Sequence, residues 1–380
     1  MAKKAKRALS EVISAAPHDD RWLSDPWRTR IRRRLLQWFK KNARSLPWRD
    51  RASDPYSVWL SEVMLQQTQV STVIPYFKRF LEKFPTVTDL AAAEEATVLQ
   101  LWEGLGYYRR ARQLHAAAKQ IVESHDGKFP TQYDDVLALP GIGRYTAGAI
   151  LSISTGQRLP IVEANTQRLY SRLIASTNHP TDKAANALLW EFAERILPRR
   201  DSGQFNQAAM ELGALVCTPQ QPDCPNCPLQ PCCAAHEKGL ETIIPGKVKR
   251  IQYEARDEYA LLVRHPDRHA YFVYQVPAGQ RWAGLWDFPR FGPPHASSLD
   301  GAIRQARQDF GLEIKAGDLA TTIRHGVTKY RITLYAHHVH WQSPEPSSLE
   351  ENQQWQTPEQ LQSLPLNTTG RKLANLLAAE

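Results

Sequence analysis

Leu139-Pro140-Gly141-Ile142-Gly143-Arg144-Tyr145-Thr146 joins two stretches of helical spacing, near residues 133–139 and 145–154. Two glycines at this spacing permit a tight hairpin with exposed backbone N–H groups. The following helix begins here, so its positive end can hold a phosphate. Taken alone, a Gly-x-Gly is a helix–helix turn at least as readily as an anion site. The surrounding sequence has to decide between the two readings.

Working outward, residues 28–240 read as mostly helical. Asp54-Pro55-Tyr56-Ser57 has the form of a helix start, with Pro in the first turn, and Trp59, Leu60, Val63 and Met64 then make one apolar stripe. Further helices are expected from about Thr68 to Lys83 and near 96–103, 107–123 and 166–174. The character changes after about residue 240. Ile244-Pro245-Gly246-Lys247 opens a linker, and strand-like runs follow at 259–263, 270–274 and 330–335, with one helix over 299–310. The expected organisation is a disordered basic arm over 1–27 and a helical domain over 28–240. A linker over 241–255 and a small α+β domain over 256–380 follow.

With 42% hydrophobic and 23% charged residues, the 380-residue chain can bury an ordinary globular core. A formal charge of +9 suits a polyanionic partner. No run approaches the roughly 18 apolar residues of a membrane helix. The N-terminal MAKKAKRALSEVISAAPHDD lacks the apolar core and cleavage pattern of a signal peptide. A soluble, cytoplasmic monomer without membrane contact is expected.

All five cysteines fall between Cys217 and Cys233, in the order Cys217-x6-Cys224-x2-Cys227-x5-Cys233, with Cys232 outside the pattern. Clustering in an otherwise cysteine-free chain points to a metal in a reducing compartment. Zinc and an iron–sulfur cluster both suit four thiolates. Four-cysteine zinc sites usually use two C-x2-C pairs and this loop has one, which favours iron and sulfur.

Two carboxylates stand out. Glu62, in Ser61-Glu62-Val63-Met64-Leu65-Gln66-Gln67-Thr68, has Val58 and Leu65 as helical neighbours. Apolar surroundings raise a carboxyl pKa and suit it to donate a proton near neutrality. Glu163 precedes the helical pattern 166–174, with Asn165 as the expected N-cap, and the helix terminus should favour its anionic form. Two carboxyls pushed in opposite directions are what glycosidic cleavage uses.

Taken together, SEVMLQQT at 61–68, GLGYYRRAR at 104–112, LPGIGRYTAGAI at 139–150 and the cysteine loop resemble the MutY-type adenine DNA glycosylases of the helix-hairpin-helix glycosylase superfamily. The resemblance is strong over about residues 30–235 and looser beyond. It implies a mainly α helix-hairpin-helix glycosylase fold, with two helical subdomains and an iron–sulfur loop, followed by an α+β Nudix-like domain. The implied partner is double-stranded DNA with an adenine:8-oxoguanine or adenine:guanine mispair, and the implied location is nucleoid-associated. Glu62 would protonate the flipped adenine at N7. Gln67 would fill the gap left in the duplex, and Tyr107 would wedge beside the oxidised guanine. Gly141 and Gly143 would hold the DNA backbone, and Asn165 would support the catalytic centre. Cys217, Cys224, Cys227 and Cys233 would ligate a [4Fe–4S] cluster. Tyr145 stands where lyase-active relatives have lysine, which implies a monofunctional enzyme.

The chain departs from the family pattern in two places. Glu163-Ala164 replaces the usual Asp-Gly, lengthening the acid that faces the sugar cation by one methylene. The family's Phe-Ser-His lesion-reading loop corresponds to Val327-Thr328-Lys329, of which Thr328 keeps a hydroxyl. The stretch 304–312 lacks the paired glutamates that hold magnesium in Nudix hydrolases, so pyrophosphate hydrolysis is not expected. Altered base specificity and a DNA-binding homologue that has lost catalysis are the competing readings.

Overall fold

A computed structural model describes residues 18–246, 252–342 and 349–380. The chain divides into two compact units. One takes the described residues up to Ala92 and those from Gln113 to Gly246. The other takes Ala93–Arg112 together with the described residues from Gln252 onward.

In chain order the helices are α1 (Asp25–Asn42), α2 (Pro55–Leu65), α3 (Val70–Lys83), α4 (Val87–Ala92), α5 (Glu95–Trp102) and α6 (Arg109–His125). Then come α7 (Tyr133–Leu137), α8 (Arg144–Thr155), α9 (Ala164–Leu173), α10 (Lys183–Ile196), α11 (Ser202–Leu215) and α12 (Ala234–Glu237). Asp54 caps α2 as its sequence predicts, accepting from the N–H groups of Tyr56 and Ser57 at 3.1 and 3.2 Å. Every residue of α2 from Tyr56 to Met64 is buried, so this helix is enclosed on all sides and carries Glu62 into the interior.

Small residues allow the central helices to approach. A Cβ on Gly148 of α8 would lie 2.6 Å from the Pro160 carbonyl oxygen, and one on Gly203 of α11 would lie 2.2 Å from that of Ser152. Ile31, Leu35, Leu169, Tyr170, Leu188, Phe192, Phe205 and Leu212 form one apolar core.

Order begins earlier than the expected arm over 1–27 allows. A 3-10 turn at Asp20–Leu23 buries Trp22 against Phe192, and α1 starts at Asp25, so indole burial outweighs the polar composition here. Residues 1–17 lie outside the described residues. The expected linker is also partly anchored: Ile244 is buried beside Ala175, Ala234 and Ala235, and its carbonyl accepts from Arg172 at 2.8 Å. Residues 247–251 lie outside the described residues.

The second unit is α+β, as its strand-like runs and single helical stretch predict. One sheet has the order β4 (Arg290–Phe291), β1 (Glu254–Val263), β6 (Tyr330–Trp341), β5 (Ile314–Val327), with β1 and β6 parallel. The other has β3 (Trp286–Asp287), β2 (Tyr271–Gln275) and β7 (Gln353–Gln356), all antiparallel. The helices α13 (Leu299–Phe310), α14 (Pro358–Ser363) and α15 (Thr368–Leu377) complete it. Ala260 and Leu262 enter one core while Leu261 and Val263 enter another. Both faces of β1 are therefore covered, which explains its unbroken apolar run. Ala93–Arg112 is fixed in this unit by Arg371, which donates to both oxygens of Glu103 at 2.6 and 2.9 Å. The Tyr108 hydroxyl also donates to the Leu366 carbonyl at 3.1 Å.

Gly203→Ala is expected to destabilise the protein by about 1–3 kcal/mol, because the added methyl meets main chain that cannot yield. Urea unfolding reads this directly, and an unchanged midpoint would refute the close approach of α8 and α11.

Candidate active site

A cleft of about 670 Å³ opens in the first unit between the C-terminal end of α2, the start of α9 and the face of α11. Its walls include Glu62, Gln67, Tyr145, Glu163 and Asn165, so five residues singled out from scattered motifs share one cavity. Glu62 is 5% exposed. Burial pushes its carboxyl up to about 7, the Glu163 charge adds to the rise, and a hydrogen bond donated by the Tyr145 hydroxyl opposes it.

Glu163, not Asn165, caps α9. Its oxygens accept from the N–H groups of Asn165 and Thr166, each at 2.8 Å, and its own N–H donates to Thr166 Oγ1 at 2.8 Å. This closes a capping box, with the longer glutamate side chain folded back over the first turn. Asn165 Nδ2 adds a bond to Glu163 at 3.3 Å, while its Oδ1 accepts from Arg168 at 2.9 Å. The helix terminus does not win outright. Burial outweighs these N–H bonds and the Arg168 charge, so Glu163 is also shifted upward, against the expectation of opposite shifts.

Arg44, Trp48, Arg49, Gln207 and Glu211 also line the cleft and were missed by the sequence reading. Glu211 is 2% exposed. Burial raises its pKa, but hydrogen bonds from Arg44 and Arg49 overcome that and hold it at about 2. A charged residue inside the apolar run Ala208-Ala209-Met210-Glu211-Leu212 was the available signal.

At the hairpin, Gly141 has φ +78°, and a Cβ there would meet Gln113 at 2.8 Å. Gly143 is the N-cap of α8, where a Cβ would meet nothing within 4 Å. Protein packing therefore does not require glycine at 143, and the open side is free for an external group. Gln67 (φ 57°), Tyr107 (φ 49°) and Thr328 (φ 52°) are three of the seven non-glycine residues with left-handed backbone among those described, and all three are exposed. Tyr107 and Thr328 lie in the second unit, Thr328 at the tip of the β5–β6 hairpin.

Cys217, Cys224, Cys227 and Cys233 line one small pocket behind α9. Cys232 does not line this pocket; it lies in the apolar core and is 2% exposed. Arg172 donates to Cys217 Sγ at 3.2 Å. Backbone N–H groups of Leu229, and of Ala235 and His236, serve Cys227 and Cys233 respectively. Burial, with the neighbouring sulfurs, pushes Cys227 up to about 12 and Cys233 to about 11. Among the described residues, the only three donors gathered within 4.8 Å of one another are those of Cys224, His236 and Glu241. No three of the four sulfurs gather within that distance of one another.

Residues 60–195 match the HhH-GPD superfamily of base excision DNA repair proteins, and 259–376 match the NUDIX domain. An adenine DNA glycosylase of Buchnera aphidicola (subsp. Schizaphis graminum) is 40% identical over 259 residues, covering 68% of this chain and 74% of that protein. This chain belongs to the adenine DNA glycosylase family. The rat and human adenine DNA glycosylases are each 46% identical, covering 57% and 55% of this chain, but the chain spans only 44% and 40% of their lengths. A thermostable thymine-DNA glycosylase structure aligns with a TM-score of 0.51 and 26% identity, covering 56% of this chain and 98% of that one. Among the described residues no helix is long and apolar enough to cross a membrane.

Tyr145→Phe removes the bond that holds the Glu62 pKa down. If protonated Glu62 is the active form, activity should fall as pH rises through about 7 in the parent and at a higher pH in the variant. Identical pH–rate profiles for the two would show that Tyr145 does not tune Glu62.

Proposed function

We propose that this protein hydrolyses the N-glycosidic bond of adenine mispaired with 8-oxoguanine, or with guanine, in double-stranded DNA. The observation that carries the reading is the buried, protonatable Glu62 on the wall of a cleft that also holds Glu163. The target base must leave the stack to reach such a cleft. Glu62 donates its proton to adenine N7, which makes the base a neutral leaving group. The bond from C1′ to N9 then breaks and positive charge spreads over C1′ and the ring oxygen. Glu163, fixed by its own helix N–H groups, presents a carboxylate to that cation, and the growing charge in turn favours its ionised form. Asn165 and Tyr145 hold the two carboxyls in place, and water adds its oxygen to C1′ while its proton returns to the Glu62 carboxylate, which completes hydrolysis. Tyr145 offers no amine, which supports a monofunctional enzyme without a Schiff base.

Gln67 and Tyr107 are read as the residues that enter the duplex, Gly141 and Gly143 as backbone contacts, and Thr328 as a contact of the Nudix-like domain, over 256–380, with the lesion strand. Their strained or open backbones support this, since such strain persists where function over-determines it. Cys217, Cys224, Cys227 and Cys233 would hold a [4Fe–4S] cluster, as their shared pocket and the N–H donors on their sulfurs support. Such a cluster would supply a structural cross-link for the loop. The working form is read as a soluble monomer of the cytoplasm and nucleoid, with its catalytic domain over 28–240.

Glu62→Gln should abolish adenine release while leaving mispair binding largely intact, because the amide keeps the shape but has no proton to give. Single-turnover excision on a panel of mispairs checks it. Near-parental excision would remove Glu62 as the acid, and preference for another base would overturn the substrate. Glu163→Ala should lose most activity, and Glu163→Asp with Ala164→Gly should keep it. If the alanine variant excises adenine at the parental rate, Glu163 is a helix cap alone.

A further inference from the structure

Three of the four cage sulfurs receive an N–H donor: Cys217 from Arg172, Cys227 from Leu229, and Cys233 from Ala235 and His236. Cys224 is surrounded differently. A ring nitrogen of His236 and a carboxylate oxygen of Glu241 join its sulfur in the one three-donor set within 4.8 Å among the described residues. His236 and Glu241 line the same pocket as the cysteines. His236 Nε2 lies 3.1 Å from Gln230 Nε2, while buried Nδ1 has no hydrogen-bond partner and stands 3.8 Å from Glu241 Oε1. α12 begins directly after Cys233 and holds His236 at the rim of the cage.

Two donors of one metal can lie no farther apart than the sum of their bonds, about 4.4 Å for sulfur and imidazole nitrogen. The Cys224 sulfur and the His236 ring nitrogen lie no more than 4.8 Å apart, so a small side-chain movement brings both within that bound. Imidazole is an established substitute for thiolate on an iron–sulfur iron, and it raises the potential. We propose that His236 is an alternative ligand at the Cys224 corner of the cage, able to hold that iron when the Cys224 thiolate is absent. The proposal rests on the [4Fe–4S] reading of the cage.

The test compares the full-length parent with Cys224→Ala, Cys224→Ala/His236→Ala and Cys227→Ala by iron analysis, pulsed EPR and electrochemistry. The parent and Cys224→Ala should each hold about four irons. Cys224→Ala should also show nitrogen hyperfine coupling in its paramagnetic state and a more positive potential. The double variant and Cys227→Ala should lose the cluster. An iron-free or insoluble Cys224→Ala beside an iron-loaded parent overturns this proposal alone. So does a double variant loaded as fully as Cys224→Ala, or the absence of nitrogen coupling. A parent without iron overturns the cluster reading, and this proposal with it.

Discussion

Arg168 and Arg172, one turn apart on α9, are the fixed points of the first unit. Arg168 donates to the carbonyls of Gly213 and Cys217 at 2.7 and 2.6 Å. Arg172 donates to those of Thr218, Pro219 and Ile244 at 2.7, 3.1 and 2.8 Å. Buried carbonyls without donors would each cost on the order of 1–3 kcal/mol, so two guanidiniums satisfy a loop that has no ladder of its own. The same helix carries Glu163 at its N-terminus, and Asn165 bridges Glu163 to Arg168. One rigid rod thus sets the position of a cleft carboxylate, the cysteine cage and the segment around Ile244.

The cleft shows how hydrogen-bonding partners weigh against burial in setting a carboxyl's pKa. Glu62 and Glu211 are both almost fully buried, at 5% and 2% exposure. Glu211 faces two guanidiniums and is held as the anion, at about 2. Glu62 faces a single phenol, and burial carries it to about 7. A charge-assisted pair outweighs desolvation, whereas one neutral donor does not. Glu163 has helix N–H groups in place of a guanidinium, and burial still shifts it upward. One cavity therefore holds a fixed anion at Glu211 beside an acid at Glu62 that can exchange a proton.

Left-handed backbone at Gln67, Tyr107 and Thr328 has a related meaning. Thr328 sits in a two-residue turn between paired Val327 and Tyr330, a place that favours asparagine or glycine. A β-branched residue there is costly, and its hydroxyl only bonds the preceding carbonyl, at 2.7 Å. Folding alone does not select it.

The sequence by itself determined the change from helices to strands, the helix start at Asp54-Pro55 and the cysteine spacing, but not the strand over Ile314–Val327 or the last two helices. These depend on local periodicity and on residues with few conformational options. It also named Glu62 and Glu163, since a carboxyl in an apolar run and one beside a helix start are visible along the chain. Only the tertiary structure decided that the two share a cleft, that Glu163 rather than Asn165 is the cap, and that Arg44, Arg49 and Glu211 form a third charged wall. Only it grouped Ala93–Arg112 with the C-terminal elements, through Glu103 and Arg371. The physical reason is the same in each case. Desolvation and charge pairing depend on distances between residues far apart in sequence, and no local pattern carries those distances.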